Sequence, residues 1–542
     1  MANVNGTAGP DLLTGTATDD VIQGFEGADT IDGLGGDDRV DYRQSPGPVI
    51  ANFAAGTIQD GYGTTDSVRD IEMVTGSAAN DSLIGGDPTN SSFEAFEGMA
   101  GADTMDGGAG SDRVQYQYSP AGVIVDLAAG TAEDGFGTSD VFFNMERVRG
   151  SQHADTLLGG GAANAGYEDF EGLGGADLID GRNGYDEVNY QNAPAAIRFD
   201  FALGTVQDGY GSIDTVRGIE AVVGSRHDDT LLGGNPDLDS LEHFRGGVGD
   251  DWIDGGRGFD AVDYAFSSKA VDVDLVSGVA QDGLGGTDRL FGIEQVRGSV
   301  FDDTILGTAG SELIEGRAGS DRIDGGEGID IALYRRSTAA VELDLVAGTA
   351  KDGLGGVDTL TSMENVIGSA FSDTLLGDDG ANELFGYTPG FSEMVNPAAD
   401  VGDWIDGRGG DDRLFGNPGD DTLFGGEGDD TIYGGRAADS LVGGSGADIL
   451  SGDRENDTLE GGDGADAFQF AAGGGMDLVI DFTAGEDRLV LVGLGFADGE
   501  AALAAAADAE GGTVLSFPGE GEGVMLLGVA KSQLSAEDFM IV

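Results

Sequence analysis

The sequence predicts an all-β chain, an elongated parallel β-solenoid closed by a small β-rich C-terminal cap. Three observations predict it. A unit of about 74 residues recurs, a period of nine runs inside it, and an apolar residue follows two places after the aspartate that marks each nine. Four-residue turns of the form Asp-Gly-x-Gly start at Asp60, Asp134, Asp208, Asp282 and Asp352. The first four are evenly spaced and the last interval is slightly shorter, and Tyr42, Tyr116, Tyr190, Tyr264 and Tyr334 keep step with them. So do Glu72, Glu146, Glu220, Glu294 and Glu364, which places five long repeats over residues 1–377.

The short period is clearest over residues 403–468. Asp403, Asp412, Asp421, Asp430, Asp439, Asp448, Asp457 and Asp466 are nine apart, and Ile405 through Phe468 supply the apolar partner of each. A period of nine suits neither a helix nor a long strand. It suits a three-residue strand and a tight turn, in which glycine permits positive φ and the apolar residue points inward. Two such units make one coil, and stacked coils carry their aspartates in columns. Residues 378–402 interrupt the pattern as an irregular insertion, and residues 469–542 form the cap, with an alanine-rich helical run near 498–509 and strands over 513–517 and 524–527.

Charge decides what the columns need. The chain carries 100 acidic and 26 basic residues, a formal charge of -74, yet 39% of it is hydrophobic. Such a chain repels itself when compact, so the carboxylates must be neutralised before the apolar residues pack. Oxygen ligands on bendable glycine loops, with no cysteine and only three histidines, select a hard cation with flexible coordination. Calcium fits, because it takes six to eight oxygens, whereas magnesium holds a strict octahedron and its own water. The EF-hand spacing is absent. Nucleic acid is excluded as a partner on the ground that phosphate recognition needs basic patches, and the sequence shows none. No segment is apolar enough to span a bilayer, and the N-terminus has no signal-peptide pattern.

The run Gly425-Gly426-Glu427-Gly428-Asp429-Asp430-Thr431-Ile432-Tyr433 resembles the nonapeptide G-G-x-G-x-D-x-U-x of the RTX (repeats-in-toxin, hemolysin-type) family. The resemblance implies a calcium-loaded parallel β-roll, with several ions held by motif aspartates and turn carbonyls of stacked coils. Carried over, the ligands are Asp29, Asp38, Asp103, Asp112, Asp177, Asp186, Asp251, Asp260, Asp321, Asp330, Asp412, Asp421, Asp430, Asp448 and Asp466, with Gly426, Gly428, Gly444 and Gly446 in the turns. Asp403, Asp439 and Asp457 depart from the motif, and Glu94, Glu168, Glu242 and Glu312 replace the aspartate, so these positions are set apart. The acidic and then apolar tail is similar to the type I secretion signals of that family. The resemblance therefore implies export by type I secretion machinery to the outside of a bacterial cell, and folding there on external calcium.

No catalytic motif is found. The zinc-protease H-E-x-x-H and the G-x-S-x-G elbow are missing, and paired carboxylates are too common here to mark a glycosidase. The expectation is a non-enzymatic secreted protein with a structural, surface-layer, matrix or adhesive role, through cell-surface polysaccharide or self-assembly. The alternative is a calcium-dependent lyase or epimerase acting on polysaccharide, with its site near Tyr387–Trp404. The recurrent tyrosines are expected in the core, and Trp252 and Trp404 on the outside.

Overall fold

In a computed structural model of the chain, residues 2–86, 93–161, 166–234, 241–387, 401–517 and 521–542 are described. The loop Gly86–Ser92 falls outside them from residue 87 onward, as do residues 388–400 of the predicted insertion. The chain divides into two compact units. The first comprises Met1–Ala261 with Gly285–Ile293, the second Val262–Leu284 with Glu294–Val542.

In the first unit, three-residue strands one coil apart in sequence pair in parallel and in register. Asn3–Asn5 lies on Val21–Gln23, which lies on Arg39–Asp41. The central residue of these strands is apolar, half-buried at Val4 and buried from Ile22 onward, because side chains alternate across a strand. One sheet thus stacks Ile22, Val40, Val74, Phe96, Val114, Val148, Phe170, Val188, Val222 and Phe244 as a continuous ladder. Burying such a side chain contributes roughly 1.5–3 kcal/mol, so each coil adds a similar increment.

The opposite sheet differs from the expected stack of parallel strands. In the first long repeat Ile50–Asn52, Thr57–Gln59 and Thr65–Arg69 form an antiparallel trio. Its first strand pairs in parallel with Ser82–Ile84 ahead, and its last with Thr30–Asp32 behind. The chain therefore steps forward, turns back at Phe53–Gly56, reverses again at Asp60-Gly61-Tyr62-Gly63 and fills the gap it left. Asp60 makes this turn self-supporting. Its Oδ1 accepts the amides of Tyr62, Gly63 and Thr64 at 2.9–3.0 Å, and Gly61 supplies φ 75°. Equivalent trios occupy the later repeats. The recurrent tyrosine is core, as expected: Tyr42 is 3% exposed and donates to Asp66 Oδ2 at 2.7 Å.

In the second unit the nine-residue block is the most regular part. Leu414, Ile432, Leu450, Phe468, Leu489 and Phe539 stack in one sheet, and Ile405, Leu423, Leu441, Leu459, Val479 and Leu526 in the other. The cap continues both ladders. Its helix, Gly499–Ala505, starts on the Asp498 side chain, which accepts from the Ala501 amide at 2.9 Å. It ends earlier than the sequence suggests, because Ala507–Ala509 turns at Gly511 (φ 96°) into a hairpin with Gly512–Ser516. Gly512–Ser516 in turn pairs with Gly523–Leu527. Trp252 and Trp404 face outward, 45% and 46% exposed, against Phe291 and Phe424.

Candidate metal centre

Most turn aspartates follow the same local rule. The Oδ1 accepts the backbone amide of the equivalent residue in the preceding coil, as Asp430 does from Asp412 at 2.8 Å, Asp448 from Asp430 at 2.8 Å and Asp466 from Asp448 at 3.0 Å. That residue is Glu94 for Asp112 and Asn382 for Asp412, and Asp186 Oδ1 has no partner. The columns continue where no nonapeptide is present. Asp66 Oδ1 holds the Asp29 amide at 2.9 Å, and Glu72 Oε2 holds the Asp38 amide at 2.9 Å.

The second oxygen divides the turns into two kinds. In the first kind a Ser or Thr stands four residues before the aspartate, and its amide occupies that oxygen. Ser77 donates its amide to Asp81 Oδ2 at 2.6 Å and its hydroxyl to Oδ1 at 2.8 Å. Ser151 with Asp155 and Ser299 with Asp303 repeat the arrangement, and the Thr483 amide serves Asp487 in the same way. The substituted glutamates are satisfied in a related way. Glu94 and Glu168 accept from the Gly86 and Gly160 amides at 2.8–2.9 Å, Glu242 accepts from Gly234 at 2.7 Å, and Glu312 accepts from Thr308 at 3.0 Å.

In the second kind the backbone is left-handed both four and two residues before the aspartate. Gly426 and Gly428 precede Asp430 with φ 115° and 128°, and Gly444 and Gly446 precede Asp448 with φ 117° and 142°. All fifteen aspartates carried over from the motif have this pair of positive φ values. Among them Asp29, Asp38, Asp103, Asp112, Asp177, Asp186, Asp321, Asp330, Asp412, Asp430, Asp448 and Asp466 each bury an Oδ2 with no hydrogen-bond partner. Asp251, Asp260 and Asp421 sit in turns of the same shape, each 1% exposed.

Two aspartates set apart in the sequence share this geometry. Asp439 follows Gly435 and Ala437 (φ 118° and 83°), and Asp457 follows Asp453 and Glu455 (φ 69° and 77°). Both bury an unpartnered Oδ2. Neighbouring coils hold these turns in shape against the local cost of positive φ in residues other than glycine. The turn before Asp403 runs into residues outside those described.

The first glycine of the motif is required for space. A Cβ on Gly425 would lie 2.2 Å from Asp430 Oδ2 and 2.5 Å from the Gly443 carbonyl oxygen. On Gly443 it would lie 2.4 Å from Asp448 Oδ2 and 2.5 Å from the Gly461 carbonyl oxygen. A carboxylate of one coil and a carbonyl of the next thus face the same small space.

The electrostatics show the cost of ionising these groups without a counter-charge. Burial, then repulsion from Asp140, Asp81 and Asp134, pushes Asp103 up to about 8. Burial with Asp421, Asp457 and Asp420 pushes Asp439 up to about 9. Asp430 and Asp448 rise to about 7 for the same reasons. A buried, unpaired carboxylate oxygen beside carbonyls, repeated along a column, is a donor set for a hard cation. Among the described residues no three acidic or histidine side chains converge, so backbone carbonyls must supply much of each shell.

The comparisons agree with this chemistry. A family described as the RTX calcium-binding nonapeptide repeat matches residues 5–40, 92–115, 243–262, 297–332, 352–388, 406–441, 433–468 and 442–475. Over these residues the chain carries RTX calcium-binding nonapeptide repeats. Its repeats bind calcium, several ions per chain. No curated protein matches the chain. Among solved structures, an extracellular lipase, LipA from Serratia marcescens, is 21% identical over 46% of this chain and 40% of its own, with a TM-score of 0.16. The chain thus spans less than half of the lipase, and a likeness this local carries no argument about activity.

Proposed function

We propose that this protein is exported unfolded by type I secretion machinery and is folded outside the cell by calcium, there to serve as a structural or adhesive component of a surface layer or matrix. RTX repeat proteins are typically secreted bacterial proteins, and calcium binding is common to the repeats. The observation that carries the reading is the column of buried, unpartnered Oδ2 atoms in a chain of charge -74. Without cations those columns oppose packing. With millimolar calcium, the weak-binding range of extracellular modules, each ion supplies folding free energy. The role outside the cell is supported by the extent of the repeats, which makes stacked coils and turns the main surface of the described residues. The alternative site near Tyr387–Trp404 lies largely among residues 388–400, outside those described, and no observation favours it.

The test is export and assembly. Fused to a reporter, residues 469–542 should direct release through a type I channel, and the released chain should bind to cells or self-associate only in calcium. Release without those residues refutes the export route. A released chain that stays monomeric and binds no surface in calcium refutes the role.

A further inference from the structure

We propose that a groove on the outer face of one sheet of the first unit binds an acidic polysaccharide, an extended sugar chain bearing spaced carboxylate or sulfate groups. The groove has a volume of about 830 Å³ and is lined by Arg39, Arg113, Arg147 and Arg149 together with Phe93 and Tyr118. Only 26 of 542 residues are basic, so four guanidiniums in one groove run against the composition of the chain.

Register assembles them. Arg39 pairs across to Met73, Met73 to Ala95, Ala95 to Arg113, Arg113 to Arg147, and on the next row Gln115 to Arg149. Several of these groups have donors to spare. Arg113 and Arg39, both lining the groove, each bury an Nε with no partner. Burial and the neighbouring Arg149 push the Arg113 guanidinium down to about 10, with Arg147 adding to the effect. An arriving anion would relieve that repulsion. Other contacts hold the frame: Arg149 on Glu171 at 2.5 Å, Arg147 on the Ser111 hydroxyl at 3.0 Å, and Arg113 and Arg147 over the Phe93 ring at 4.9 and 5.4 Å.

Spacing and charge density select the ligand. With strands roughly 4.8 Å apart, Arg39 stands roughly 14 Å from Arg113 and Arg147 roughly 5 Å further on, too far for one small anion to bridge. Guanidiniums fork onto carboxylate and sulfate, the amides of Gln117 and Gln152 suit hydroxyls, and Tyr118, with Arg43 4.4 Å over its ring and Arg39 donating to its hydroxyl at 3.2 Å, remains 40% exposed at the groove. Asp19, Asp37 and Glu171 also line the groove. They disfavour a nucleic acid strand, which carries a charge about every 3.4 Å.

The test uses the full chain in calcium buffer with hyaluronan and chondroitin sulfate fragments as probes, dextran as the neutral control and a single-stranded oligonucleotide as the rival. The proposal expects salt-sensitive binding of both acidic glycans and none of dextran. The variant R113Q/R147Q should bind at least tenfold more weakly, and Tyr118→Ala severalfold more weakly, with each variant still folding cooperatively in calcium. No glycan binding, equal binding by R113Q/R147Q, or tighter binding of the oligonucleotide overturns it. The calcium midpoint is read separately by circular dichroism, so failure here is distinct from failure of calcium-driven folding.

Discussion

The two kinds of turn make opposite predictions for the same substitution. Asp430→Asn keeps the Oδ1 that accepts the Asp412 amide at 2.8 Å but replaces the unpartnered Oδ2 with an amide that cannot ligate. Asp81→Asn alters a carboxylate whose oxygens already accept the Ser77 amide and hydroxyl and the Val49 amide. The first substitution should remove one ion and the second none. A site held at 100 times its Kd contributes about 2.7 kcal/mol. If the seven turns from Asp412 to Asp466 fold together, that loss spread over about seven ions raises the calcium midpoint roughly twofold. Asp81→Asn weakens hydrogen bonds to a charged group, about 1.5–3 kcal/mol, so it too raises the midpoint. The discriminating assay is therefore the count of bound ions by equilibrium dialysis, beside the midpoint by circular dichroism. An undiminished count in Asp430→Asn, or a diminished one in Asp81→Asn, would refute the division of turns.

Three further outcomes follow from the same geometry. Gly443→Ala places a Cβ 2.4 Å from Asp448 Oδ2 and should cost an ion, while Gly9→Ala, with nothing within 4 Å, should bind and fold as the parent does in calcium titrations. Because Asp103, Asp430 and Asp448 are raised to about 8, 7 and 7, the calcium-free fold binds protons that the unfolded chain, near 3.8, does not. Its stability therefore rises as pH falls from 8 toward 4, and calcium, which must displace those protons, binds more weakly at pH 5 than at pH 8; titrations at the two values check the sign. Tyr42→Phe strands Asp66 Oδ2 in the core and should cost about 1–3 kcal/mol in urea unfolding with calcium present, without changing the number of ions bound.

What the sequence made legible is the part that repeats at short range. The nine-residue spacing located the inward residues Leu414, Ile432 and Leu450 and the fifteen left-handed turns, because a solenoid maps sequence period directly onto space. The antiparallel trios were not legible. Asp60-Gly61-Tyr62-Gly63 reads as a turn, but whether the next strand runs ahead or doubles back depends on pairing with strands far along the chain. Asp439 and Asp457 were set apart on local pattern, since Ala437 and Glu455 break the motif, while the coils on either side hold their backbone in the common shape. The distinction between Ser77 and Gly426 was visible as residue type, yet its meaning needed the position of one amide. The four arginines of the groove were invisible as a patch: Arg39 and Arg113 stand one long repeat apart and meet only through the strands at Met73 and Ala95.

The most direct test of the account is a calcium titration followed by small-angle scattering and circular dichroism, with magnesium in parallel. An unfolded chain of 542 residues has a radius of gyration of roughly 90 Å. Without divalent ions the chain should stay near that value, millimolar calcium should bring a cooperative gain of β-structure with a sharp contraction, and magnesium at the same concentration should do little. A chain already compact and β-structured without calcium at pH 8, or one that contracts equally with magnesium, would contradict it.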